Sequence, residues 1–323
     1  MYKGKNIPDW KYMGRSLPVV AVLCLLFSLT GKAQLTDPVF TQYMNSMQTI
    51  NPAYTGMWDK IGVQAFTRRY YLGQNKAPLV SSASMYKPVK NSNNALGLDI
   101  IEEHFGYEDK LTMTLNYAYQ VKLDWHTYLR LGLKAGIINY SNLLTRYQLD
   151  PDDNPDAAFQ DDVHLNFQPA WGVGGLIYSR DYYVGLSMPQ IIHNEFKANR
   201  NNYSAIANVR YAYLLGGYFF GRQRQVRFKP TAMIKLSLDA PIQADLGANL
   251  LFFDKFWIGG MYRTNNVAAV ITQFVMMQNI RLGYAVEFPF GREIWKYQMG
   301  THEFRVVYEF DFYKRPNVRR QYF

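Results

Sequence analysis

The segment from Thr301 to Phe312, THEFRVVYEFDF, alternates apolar and polar side chains along almost its whole length. Its apolar face carries Phe304, Val306, Tyr308, Phe310 and Phe312, and its other face carries Glu303, Arg305, Glu309 and Asp311 together with Val307. Successive side chains of a β-strand point to opposite sides, so this pattern predicts a strand between an apolar and a wet environment.

The stretch from residue 111 to residue 123 repeats this pattern. Its apolar face carries Leu111, Met113, Leu115, Tyr117, Tyr119, Val121 and Leu123. Strands of about ten residues or more exceed the usual ~5–6 of a soluble sheet, and they suit a strand tilted across a bilayer. Similar segments, separated by turns, run from residue 61 to residue 313. We therefore predict an all-β fold, an antiparallel outer-membrane β-barrel spanning residues 61–313.

The barrel is predicted to have about 14 strands. They begin near Ile61, Leu79, Ala95, Lys110, His126, Gln168, Asp181, Asn208, Val226, Ile242, Lys255, Val267, Asn279 and Thr301. The three longest connections, 141–167, 189–207 and 290–300, all have odd numbers in this series, and several of the tightest turns have even numbers. With both termini in the periplasm, the odd connections face outward, as the long loops of outer-membrane barrels do.

The N-terminus has the features of a secretory signal peptide. Basic residues up to Arg15 precede an apolar run at 19–29, and the small residues Gly31 and Ala33 follow. We expect cleavage of residues 1–33, before Gln34, because the run is too short for a membrane helix of ~20 residues. An uncleaved anchor helix is the alternative. The single cysteine, Cys24, lies in this leader, so no disulfide, thiolate metal site or cysteine nucleophile is expected in the mature chain.

Composition and charge favour a membrane barrel over other classes. Aromatic residues reach 16% with 26 Tyr, which Tyr and Trp girdles at the two lipid–water boundaries explain. A Tyr-rich soluble β-sandwich is the alternative. The leader holds five of the 35 Lys and Arg and one of the 25 Asp and Glu, which leaves the mature chain at +6. A basic tail at 314–323 carries +4 of this through Lys314, Arg315, Arg319 and Arg320. No basic stripe remains to bind nucleic acid.

No pattern indicates catalysis, a cofactor or a metal. The five histidines are far apart, and no Gly-x-Ser-x-Gly or phosphate-binding loop occurs. The acidic connection 141–167 opens like a calcium loop at Asp150, Asp152 and Asn154. However, Pro155 occupies the position that needs Gly, and Asp161 the one that needs Glu. We therefore expect a solvated acidic loop.

Residues 34–60, between the leader and the first strand, are too polar and irregular for a membrane strand. They are predicted to enter the lumen as a plug or to lie against the periplasmic rim. Their motif residues are Asp37, Pro38, Phe40, Gln42, Tyr43, Asn51, Pro52, Ala53, Tyr54 and Gly56. These motifs resemble those of the PorP/SprF family of type IX secretion system membrane proteins. Two further stretches resemble the family's sequences: Phe228-Lys229-Pro230 and Asp254-Lys255-Phe256-Trp257. The chain departs from the family's usual sequence at Arg68-Arg69-Tyr70-Tyr71 and at Glu287.

The resemblance implies a non-enzymatic outer-membrane component of protein secretion and gliding motility. Such a component either aids the secretion or surface attachment of an adhesin-like cargo or anchors the machinery to the cell wall. Its implied partners are secretion-system subunits, a peptidoglycan-binding periplasmic lipoprotein, the C-terminal domain of a secreted adhesin, and outer-membrane lipid. The motif residues are candidate plug or partner contacts, and the basic tail is a candidate contact for periplasmic partners. The competing interpretation is a fatty-acid-channel-like transporter, which has a comparable Asn-Pro-Ala turn. Such a channel needs an apolar lumen path, whereas the non-lipid face of these strands is mostly polar.

Overall fold

The computed structural model describes residues 40–57, 60–74, 76–147, 161–192, 195–198, 203–206, 210–221, 225–238, 240–277, 279–290 and 299–310. The predicted signal peptide and the predicted basic tail lie outside these residues. The strands are β1 Ile61–Arg69, β2 Leu79–Pro88, β3 Asn94–Phe105, β4 Glu108–Lys122, β5 Tyr128–Asn142, β6 Val163–Tyr178, β7 Tyr182–Met188, β8 Glu195–Ala198, β9 Tyr203–Ile206, β10 Ala212–Tyr218, β11 Val226–Leu236, β12 Gln243–Phe252, β13 Phe256–Arg263, β14 Val267–Met276, β15 Ile280–Pro289 and β16 Thr301–Phe310.

Fourteen of these strands form one closed antiparallel barrel, which confirms the predicted fold class and strand number. Each strand pairs with its neighbours in sequence, and β1 closes the barrel against β16, with Ile61 opposite Phe310. The remaining strands, β8 and β9, pair with each other inside the long connection between β7 and β10. The sequence had predicted only a loop there.

The start of β6 is the largest boundary error of the sequence prediction. The strand begins at Val163, whereas the alternation placed its start near Gln168. A register shift against β5 between Ile138 and Tyr140 interrupts the ladder, and Phe167 adopts a positive φ of 56°. Such a bulge moves side chains to the other face, so the period-two pattern fails locally.

The two faces of the wall follow the predicted alternation. In β4, Met113 and Leu115 point outward and are exposed, whereas Thr112 and Thr114 point inward and are buried. Strand β16 shows the same arrangement, with Phe304 and Tyr308 outside and Glu303 inside. A belt of apolar side chains around a polar interior is the arrangement that a lipid environment requires. No helix in the described ranges is long and apolar enough to cross a membrane.

The connections differ in length between the two ends of the barrel. Connections 89–93, 123–127, 179–181, 219–225, 253–255 and 277–279 all lie at one end and are short. The long connections 143–162, 189–211 and 290–300 lie at the opposite end. Outer-membrane barrels keep short turns in the periplasm and long loops outside. We therefore call the end with the long connections the outward rim and the other end the inward rim, where β1 begins.

Candidate functional site

Residues 40–57, here called the lumen segment, form an irregular chain that precedes β1. Three short 3₁₀ turns, Tyr43–Asn45, Met47–Thr49 and Pro52–Tyr54, shape it. Asn51 caps the last turn, because its Oδ1 accepts the N–H of Ala53 at 2.9 Å. No side chain of the lumen segment is charged, and all but two of its residues are buried.

The lumen segment contacts the wall around the whole circumference of the barrel. Its hydrogen-bond partners lie on β1, β2, β3, β5, β6, β7, β11, β12, β15 and β16. Only a chain inside the lumen can reach strands on all sides at once. Residues 40–57 therefore occupy the interior of the barrel.

At one end of the lumen segment, carboxylates bind the backbone N–H groups. Glu303 accepts the N–H of Thr41 at 2.7 Å and the N–H of Gln42 at 3.0 Å. The hydroxyl of Thr41 donates to Glu287 at 2.6 Å, and it accepts from Arg68 at 2.8 Å. Three buried side chains of the wall thus hold a single turn of the segment.

These carboxylates belong to a larger buried cluster, which we call the outward network: Arg68, Asp245, Arg263, Glu287 and Glu303. Arg68 pairs with Glu287 at 2.6 Å and with Glu303 at 3.1 Å, and Arg263 pairs with Asp245 at 2.9 Å and with Glu287 at 3.1 Å. The side chains are at most 7% exposed. A buried ion network persists only when its charges pair and hydrogen-bond one another, as they do here.

Further along the lumen segment, basic side chains bind the backbone carbonyls. Arg130 donates to the carbonyls of Ala53 and Thr55, and Lys134 donates to that of Thr49 at 2.7 Å. Two further contacts of this kind run from Lys229 to Met44 and from Arg305 to Asn45. Irregular backbone in a buried place needs partners for its polar groups, and the wall supplies them.

Several wall glycines, among them Gly132 and Gly174, make room for the lumen segment. A Cβ added to Gly132 would lie 2.2 Å from the N atom of Ala53, and one added to Gly174 would lie 2.1 Å from Oδ1 of Asn51. The neighbouring Gly175 has nothing within 4 Å of its Cβ position. Glycine is therefore required where the chain approaches the wall and not simply throughout β6.

A cluster of apolar side chains also lies inside the lumen. The sequence had predicted a mostly polar interior and did not indicate this cluster. From the segment it includes Tyr43, Met44, Met47, Ile50 and Tyr54, and from the wall it includes Tyr183, Tyr213, Phe219, Met233 and Trp257. These wall residues lie on β7, β10, β11 and β13, and Phe219 comes directly after β10. The segment covers apolar wall surface that would otherwise face an open lumen.

The predicted motif residues that the structure describes lie in this site. Phe40 stacks on Phe66 with ring centroids 4.7 Å apart, and Tyr54 meets Tyr183 edge to face at 6.2 Å. Gln42, Tyr43, Pro52 and Ala53 are buried, and Gly56 has a positive φ of 62°. Asp37 and Pro38 lie outside the described residues, as do Lys314, Arg315, Arg319 and Arg320. The sequence did not identify the wall partners as a site, although alternation had placed Glu303 and Arg305 on the wet face.

The acidic connection between β5 and β6 is described only at its ends. Asp162 accepts hydrogen bonds from the N–H of Thr145 at 3.0 Å and from its hydroxyl at 2.8 Å. These two bonds, the backbone one first, lower the pKa of the Asp162 carboxyl below its ordinary value. The candidate calcium ligands Asp150, Asp152 and Asn154 lie outside the described residues. Within the described ranges, no group of His, Cys, Asp and Glu residues could hold a metal ion.

Comparison with known proteins identifies one family. A family model described as "Type IX secretion system membrane protein PorP/SprF" matches residues 32–308. No curated protein matches the chain. The crystal structure of the Acinetobacter baumannii outer membrane protein Omp33 is 7% identical, with a TM-score of 0.48, and the match covers 79% of this chain and 100% of that one. A triple mutant of the Rhodopseudomonas blastica porin is 8% identical, with a TM-score of 0.34, over 78% and 99% of the two chains.

Proposed function

Because the chain belongs to the PorP/SprF family of type IX secretion system membrane proteins, we propose that it serves this system as a sealed, non-enzymatic outer-membrane barrel. The observation that carries the proposal is the occupied lumen. A barrel that conducts small molecules needs a continuous path, whereas residues 40–57 bind the wall on all sides. Such a barrel contributes its loops and its lipid-facing wall as binding surfaces.

One cavity beside the lumen segment, in the part of the chain that the structure describes, is small. It measures about 50 Å³ and lies against Phe40, Ile50, Glu103, Thr112 and Lys134. Sites for small organic molecules usually measure about 300–1,000 Å³. This cavity has room for a few water molecules and supports neither a substrate site nor a conduit.

The partners follow from family membership and from the distribution of charge. The long connections at the outward rim offer polar surface for the C-terminal domain of a secreted adhesin. The basic tail with Lys314, Arg315, Arg319 and Arg320 offers charge for periplasmic partners, among them a peptidoglycan-binding lipoprotein and other secretion-system subunits. The apolar belt binds outer-membrane lipid.

A second candidate function is transport of small hydrophobic molecules, in the manner of fatty-acid channels. The aromatic and Met-rich half of the lumen favours it, because such a surface suits an apolar solute. Against it, Tyr43, Met44 and Tyr54 already cover that surface and are at most 7% exposed. Transport would require the lumen segment to leave.

The test combines secretion with uptake. Deleting the gene should leave type IX cargo in the periplasm and off the cell surface, as quantified by mass spectrometry of the cell fractions, and the restored gene should reverse this. Uptake of labelled long-chain fatty acids should not change. Normal secretion together with lost uptake would establish the transporter and exclude the secretion role.

The tail has a separate test. Removing residues 314–323 should leave the barrel in the outer membrane and reduce the recovery of periplasmic partners with a tagged copy. Unchanged co-purification would show that these four basic residues are not a partner contact.

A further inference from the structure

The lumen segment runs through the barrel in one direction. Its first turn, at Thr41 and Gln42, binds Glu303, the third residue of β16, which begins at the outward rim. Its last turn lies at the opposite end. A Cβ on Gly56 would lie 2.5 Å from the Cβ of Ala95, at the start of β3 beside the inward turn 89–93.

The contacts of the lumen segment with strand β5 show the same direction between these two points. This strand rises from Tyr128 at the inward rim to Asn142 at the outward rim. Lys134, further up the strand, binds the carbonyl of Thr49, and Arg130, nearer its start, binds the carbonyls of Ala53 and Thr55. As residue numbers rise along the lumen segment, its partners on β5 therefore descend toward the inward rim.

We propose that the mature chain enters its own barrel from the outward rim and presents its N-terminal end at the cell surface. A plug delivered from the periplasm would be expected to enter from the inward rim, where β1 begins. Here the chain instead crosses the full lumen before it starts the first strand. The proposal concerns the path of the chain and does not depend on the secretion role.

The charges of the wall favour this direction. At the outward rim, the carboxylates of Glu103, Asp245, Glu287 and Glu303 balance the cations of Arg68, Lys110, Lys235 and Arg263. At the inward end, the cations of Arg130, Arg227, Lys229 and Arg281 outnumber the carboxylates of Asp254 and Glu309. A free α-amino group carries positive charge below its pKa of about 8. A positively charged end meets balanced charge at the outward rim, whereas at the inward rim it would meet more cations than carboxylates.

Cysteine labelling tests the proposal, since Cys24 in the predicted leader is the single cysteine of the whole chain. Thr36→Cys places a thiol four residues before Phe40. Asp161→Cys, in the connection at the outward rim, and Asp124→Cys, in a turn at the inward rim, are the matched controls, and both residues are exposed. Intact cells are treated with a membrane-impermeant maleimide, and a second sample is treated after permeabilisation of the outer membrane.

We expect Thr36→Cys to react in intact cells as fully as Asp161→Cys, while Asp124→Cys reacts only after permeabilisation. Labelling of Thr36→Cys that follows Asp124→Cys would overturn the proposal. A thiol that reacts only after the barrel is unfolded would overturn it too, because the end would then lie inside the lumen. The heat-dependent gel mobility of each variant verifies that the barrel has folded. Secretion is measured separately. A labelling result that overturns the proposed path of the chain therefore leaves the proposed function unaffected, and a secretion result that overturns the function leaves the path unaffected.

Discussion

The two ends of the lumen segment are held by opposite chemistry. At the outward end, Glu303 binds N–H groups and shares its charge with Arg68. Toward the inward end, Arg130 and Lys134 bind carbonyls at different points of the segment, and Lys134 also pairs with Asp99 at 3.6 Å. Because the segment has no charged side chain, the charged side chains of the wall bind the polar groups of its backbone. We expect the shared network to respond cooperatively to mutation and the separate contacts to respond more nearly additively.

The largest effect is expected when the outward network is broken. Arg68→Ala leaves Glu287 and Glu303 buried without their common partner, and removing one member of a buried ion pair costs about 3–5 kcal/mol. Arg69→Ala is the matched control, because Arg69 is exposed at the end of β1, and exposed substitutions usually stay within about 0.5 kcal/mol. Thermal unfolding in detergent, followed by gel mobility, measures both. Equal midpoints would show that the network does not stabilise the barrel.

A smaller effect is expected when the inward half is overfilled. Gly132→Ala forces a methyl group against the backbone of the segment at Ala53, and overpacking of this kind costs about 1–3 kcal/mol. Gly175→Ala adds the same methyl group where nothing lies within 4 Å. The midpoint should fall, and current across planar bilayers should rise, for the first variant only. Identical behaviour of the two variants would mean that the segment does not rest against β5.

Asn51 separates two contributions at one residue. It caps the turn through Oδ1, and its Nδ2 donates to the carbonyl of Gly175 at 3.0 Å. Asn51→Ala removes both interactions and should cost about 0.5–2 kcal/mol. Asn51→Ser keeps an acceptor for the cap and should recover part of that loss. The same unfolding assay decides, and a serine variant no better than alanine would assign the whole effect to the bond with the wall.

The smallest effect is expected when the segment is locked in place. A Cβ on Gly97 would lie 2.8 Å from Cγ2 of Thr55, so a disulfide between Gly97→Cys and Thr55→Cys can span the gap. A sealed barrel whose segment stays in place should secrete type IX cargo equally well with the disulfide oxidised or reduced. Secretion that stops on oxidation and returns with reductant would show that the segment has to move.

Local patterns were sufficient for the barrel wall. Period-two alternation in β4 and β16 identified the lipid-facing residues, and the starts of β1, β2, β11, β14 and β16 were predicted to the residue. The prediction failed where a second interaction replaced the alternation. At Phe167 a bulge breaks the period, and in the connection 189–211 a short hairpin forms where the sequence indicated only a loop.

The sequence identified the residues of the lumen segment but not their partners on the wall. The motif residues from Phe40 to Gly56 stood out because their turn chemistry is local. Their partners did not, because Thr41 and Glu303 are 262 residues apart and nothing local relates an N–H group to a distant carboxylate. A charged residue on the wet face of a strand also gives the same sequence pattern whether it faces water or another part of the chain.

The sequence by itself determined the all-β class, the strand number, the lipid-facing side of the wall and the alternation of short and long connections. All of these depend on neighbours within about ten residues of one strand. Only the tertiary structure decided that residues 40–57 fill the lumen, that Gly132 and Gly174 make room for them, and in which direction they run. Closing the barrel brings residues from ten strands onto one segment, and that proximity is a property of the closed ring and of no single strand.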